Sequence, residues 1–104
     1  YALNLSDSIM RLRYRRGPER EEFLPQEEID QVTITLYPTS NLFARGHRLR
    51  LDVSSSNYPR FDVNPNTGEP IGRDRRKTAA DNTVFHDATR CSQILLPVIP
   101  RESP

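Results

Sequence analysis

Four stretches of this chain alternate apolar and polar residues with a period of two, and that alternation limits the fold more than any other feature. In Ile9–Arg15, Met10, Leu12 and Tyr14 fall on one side and Arg11, Arg13 and Arg15 on the other. In Gln31–Leu36, Val32, Ile34 and Leu36 alternate with Gln31, Thr33 and Thr35. In His47–Val53, Leu49, Leu51 and Val53 alternate with Arg48, Arg50 and Asp52. Ser92–Ile99 is less strict but rich in Ile, Leu and Val, and Thr83–His86 is a weaker, shorter candidate. Successive side chains of a strand point to opposite faces, so this pattern predicts antiparallel strands with one face covered and one face wet. Leu49, Leu51 and Val53 are therefore expected to point into a core, with Arg48, Arg50 and Asp52 pointing away. No segment sustains the 3.6-residue period of a helix, although Glu19–Ile29 has room for a helical turn.

Turn chemistry separates these segments. Arg16-Gly17-Pro18, Tyr37-Pro38-Thr39 and Ala44-Arg45-Gly46 each interrupt a strand pattern. Gly46 lies where a turn or bulge needs a positive φ, which glycine adopts without steric cost. The region 55–82 is different: a long irregular loop with little pattern. Loops beyond about 12–15 residues are uncommon in compact domains and are usually functional or disordered. The fold class expected is all-β, an antiparallel β-sandwich of the jelly-roll kind. Five strands are few for two packed sheets, so residues 1–104 read as a single domain that is the later portion of a larger sandwich.

The bulk composition narrows the function. The chain has 104 residues, of which 35% are hydrophobic and nine are proline, so its core is modest. Fifteen basic residues against 14 acidic ones give a net charge of +1. Nucleic acid is thus not expected as a partner, because phosphate binding calls for a strong basic excess or patch. A membrane is not expected either, since no apolar run approaches the roughly 20 residues that span a bilayer. Cys91 is the single cysteine. An internal disulfide framework is excluded, and a reducing, cytoplasmic setting is favoured. A start at Tyr1 rather than Met suggests a piece of a longer protein.

Four kinds of site can be weighed on the residues. A serine-hydrolase elbow needs G-x-S-x-G, and no glycine here frames a serine that way. His47 and His86 are the only histidines, and each reads as a hydrogen-bonded scaffold residue rather than a catalytic base. Asp62, Asn64 and Asn66 stand at positions 1, 3 and 5 of a calcium loop. Gly68 then falls one place late, Pro65 interrupts, and Arg73 stands where the bidentate Glu is required. His86-Asp87 has no third ligand at a recognisable spacing. Neither metal nor cofactor is expected, and the Asn and Asp side chains read as caps of their own turns. Arg73, Arg75, Arg76 and Lys77 form a basic run without aromatic stacking partners, the pattern of a solvated loop. Asn57, Tyr58, Phe61 and Asn64 suit a saccharide, and a free-standing carbohydrate- or ligand-binding sandwich is the alternative function. Tyr58 and Phe61 equally suit pinning the loop to apolar surface. Asn4-Leu5-Ser6 is a glycosylation sequon that matters only in a secreted protein.

GHRLRLDVSSSNYPRFDVNPNTG, from Gly46 to Gly68, resembles the C-terminal domain of the cocaine-esterase-like acyl hydrolases. That group is related to the X-prolyl dipeptidyl aminopeptidases and resembles the α-amino-acid ester hydrolases. SDSIMRLRYR, ITLYPTSNLFARGHRLRL and NTVFHDATRCSQILLPVIP agree in order and spacing, so the resemblance runs from about Leu5 to Pro100. It implies a parent serine hydrolase in which an α/β-hydrolase domain carries a Ser-Asp-His triad, a helical cap is inserted, and a jelly roll follows. The triad belongs to the catalytic domain, so no catalytic residue is expected here. The same resemblance implies earlier jelly-roll strands outside this chain and self-association of the chain alone. Its partner within the parent would be the α/β-hydrolase catalytic domain. Asn57, Tyr58, Phe61, Asn64 and Asn66 are the candidates for the interface or for the rim of the substrate pocket. Ser54, Ser55, Ser56 and Asn57 are expected to satisfy their own backbone groups where the strand ladder ends.

Overall fold

An alternating segment becomes a strand only when a neighbour takes up its backbone N–H and C=O groups. The computed structural model describes residues 1–102, and among them no such ladder forms. Among the described residues the only regular element is a 3-10 helix, Leu12–Tyr14, inside the first alternating segment. Here the chain tightens because Tyr14 N donates to Arg11 O at 2.9 Å, Arg15 N to Leu12 O at 3.2 Å and Gly17 N to Tyr14 O at 3.0 Å. The other alternating segments run without regular secondary structure.

No described residue is buried. The chain exposes 10606 Å², where a folded monomer of its mass exposes about 6,000 Å². Its radius of gyration is 17.3 Å, against roughly 13 Å for a compact chain of this length. Leu49, Leu51 and Val53 are 57%, 55% and 62% exposed, so the burial expected of them is not realised in the chain alone. The reason is geometric: nothing lies over them. Apolar area that stays wet contributes none of the roughly 25 cal/mol per Å² that burial supplies.

What order exists is polar, with a few ties between distant segments. The half-buried residues are concentrated in 5–30 and 61–69, with Phe85 beyond them. Two turns share one geometry. In Pro25–Glu28, Glu28 N donates to Pro25 O at 3.2 Å, and the third residue, Glu27, has φ 67°. In Pro70–Arg73, Arg73 N donates to Pro70 O at 3.0 Å, and the third residue, Gly72, has φ 75°. A third turn is closed by His47 N donating to Ala44 O at 3.1 Å, with Gly46 at φ 87°, as the sequence leads one to expect.

The irregular region has internal structure. Thr78 N donates to Pro65 O at 2.9 Å, and Asn66 Nδ2 donates to Thr78 O at 3.0 Å, closing residues 65–78 as an Ω-loop. Glu69 sits at its centre. One carboxylate oxygen accepts from Thr67 Oγ1 at 3.0 Å, Arg75 N at 3.2 Å and Arg76 N at 3.4 Å. The loop is tied to the N-terminal part by Arg13 Nη2, which donates to Glu69 O at 3.0 Å. The Phe23 ring lies beside Gly68, where an added Cβ would meet it at 3.5 Å.

Candidate functional site

The residues proposed from sequence for an interface or pocket rim do not gather into one cluster. Asn57 Nδ2 reaches Asp7 only at 3.5 Å. Tyr58 is 72% exposed, and its backbone N–H donates to Ser56 Oγ at 3.3 Å. Phe61 is half-buried beneath the Arg60 guanidinium, which lies 5.5 Å from its ring centre. Asn64 Oδ1 accepts from Asn66 N at 3.0 Å, the self-capping use that Asx turns make of this side chain. Ser54 Oγ donates to Ser56 O at 2.7 Å and Ser56 Oγ accepts from Tyr58 N, so two of the four residues expected to satisfy local backbone do so, while the Asn57 side chain turns to Asp7 instead.

Around Asp7 the chain brings three distant segments together. Arg60 Nη1 lies 2.6 Å from Asp7 Oδ1 and 2.8 Å from Oδ2. The same guanidinium lies 5.6 Å from the centre of the Tyr37 ring. Ser6 Oγ donates to Tyr37 O at 2.7 Å. These groups line a shallow, open cleft of about 330 Å³ with Asn4, Leu5 and Pro38. Its carboxylate and its guanidinium are already paired with each other. Sequence reasoning missed Asp7, Tyr37 and Arg60, because a pair 53 residues apart leaves no local signal.

A second cluster closes residues 12–30 into a clasp. The Arg15 side chain is 4% exposed. It donates through Nε to Asp30, and through Nη1 to Leu12 O at 2.9 Å and Glu22 O at 2.5 Å. Arg16 Nη2 donates to Asp30 Oδ2 at 3.0 Å, and Gln31 N donates to Asp30 Oδ1 at 2.8 Å. A planar guanidinium suits this task because its five donors are fixed in one fork. Beside it, Arg13 stacks on Phe23 at 5.0 Å, and Tyr14 Oη donates to Glu21 at 2.8 Å. The Glu21 carboxylate accepting that bond raises the Tyr14 phenol above its ordinary range.

The hydrogen bond from Arg15 holds the Asp30 carboxyl below the usual carboxylate range. Partial desolvation opposes it, while Gln31 N–H and the charges of Arg16 and Arg15 assist. A carboxylate whose folded pKa is depressed contributes stability above its unfolded pKa, and that contribution is lost as pH falls through the folded pKa. The clasp is therefore expected to stay closed at mildly acidic pH and to open only below about 3.9, the ordinary Asp value. A carboxyl-carbon NMR titration checks this. Asp30 titrating at or above the ordinary value would mean that the clasp is not held by this bond.

Near the C-terminal end, Asp87 is held low chiefly by the side chain of Arg90, which donates at 2.6 Å and stacks 4.0 Å from the Phe85 ring. His86 Nδ1 lies 3.9 Å from Cys91 Sγ. Among the described residues, no group of three or more His, Cys, Asp or Glu could hold a metal ion. No helix of the described residues is long and apolar enough to cross a membrane.

Comparison with known proteins supplies what this geometry does not. The family described as X-Pro dipeptidyl-peptidase C-terminal non-catalytic domain matches residues 2–95. Cocaine esterase of Rhodococcus sp. (strain MB1 Bresler) is 39% identical over 102 residues, covering 96% of this chain. The chain spans 18% of that relative's length. No solved structure gives a significant match. The chain belongs to the family of the C-terminal non-catalytic domain of the X-Pro dipeptidyl-peptidases, to which the cocaine-esterase relative is also linked by sequence.

Proposed function

We propose that this chain is part of the jelly-roll domain of a serine hydrolase acting on esters or amides. In this reading it packs on an α/β-hydrolase catalytic domain and shapes the substrate pocket without supplying a catalytic group. The observation that carries the reading is the family match over residues 2–95, to a domain described as non-catalytic. The exposed faces support it. Val32, Ile34, Leu36, Leu49, Leu51 and Val53 are all wet in the isolated chain. An alternating apolar face of this kind is an unfinished core, and further strands of the same domain would complete it. Phe61 and Tyr58 are the proposed apolar anchors toward the catalytic domain, since aromatic side chains bury much area at little rotamer cost.

The chemistry is then assigned to the catalytic domain, through an acyl-enzyme and an oxyanion hole. The isolated chain is expected to give no stoichiometric labelling with a fluorophosphonate probe and no turnover of a chromogenic ester. Stoichiometric labelling of any serine in this chain would overturn the reading. The saccharide-binding alternative has less support, because Asn64, one of its candidate residues, spends its side-chain oxygen on the backbone N–H of Asn66.

A further inference from the structure

We draw no further inference here: the strongest candidate, the exposed apolar rows of Val32, Ile34 and Leu36 and of Leu49, Leu51 and Val53, carries nothing beyond the reading already proposed, because nothing in the structure shows what covers them.

Discussion

In the β-sandwich of the proposed parent hydrolase, replacing Leu51 with Ala is expected to lower the unfolding free energy by about 2–5 kcal/mol, the cost of truncating a buried leucine. Replacing the adjacent Arg50 should change it by no more than about 0.5 kcal/mol, as at other surface positions. The difference follows from register. Side chains alternate along a strand, so a slip of one residue would exchange the two roles completely. Arg50 already has a solvent-side partner, Asp52, at 2.8 Å. In the isolated chain the contrast should vanish: Leu51 is 55% exposed there, and truncating it removes little buried surface. Urea melts of both variants in the complete protein, beside far-UV circular dichroism of the same variants in the isolated chain, make the comparison. Equal losses at the two positions in the complete protein would rule out a sandwich in this register.

In the proposed parent enzyme, Phe61→Ala is expected to weaken docking of this domain on the catalytic domain by about 1–3 kcal/mol, the range for a truncated interface anchor. It should act on KM or on the rate of thermal inactivation more than on the chemical step, because it touches no reacting group. In the isolated chain Phe61 is half-buried, stacked under Arg60, which in turn holds Asp7. That packing gives the opposing account: Phe61 supports its own loop and nothing else. The two accounts differ in context. Destabilisation of equal size in the isolated chain and in the complete enzyme would remove the interface role.

The sequence revealed some features of this chain and concealed others, for identifiable reasons. Family membership was readable because long ordered segments such as Gly46–Gly68 carry it. The alternation of Val32, Ile34 and Leu36 was readable because it is local, but strand pairing is not a local property, and among the described residues this segment pairs with nothing. Gly46 was assigned a positive φ correctly because the requirement is steric and confined to one residue. The clasp was hidden: Arg15 and Asp30 each resemble ordinary surface charges in a strand and a loop. The Ω-loop was hidden for a different reason. Glu69 is held by Thr67 and by the backbone N–H groups of Arg75 and Arg76, and any residue types could supply the last two.

The closure of residues 65–78 separates this loop from the history of its surroundings. Its ends meet through Pro65, Asn66 and Thr78, and its interior is organised by Glu69. Outside ties are few, with Arg13 binding a main-chain oxygen that survives any side-chain change at Glu69. Substitutions at Ile71, Arg73 or Lys77 therefore meet little resistance from the rest of the domain. The loop is built as a cassette: a change of its length or charge makes little demand on the flanking chain. In a domain that performs no chemistry, such a cassette is where one hydrolase can come to differ from another in the company it keeps.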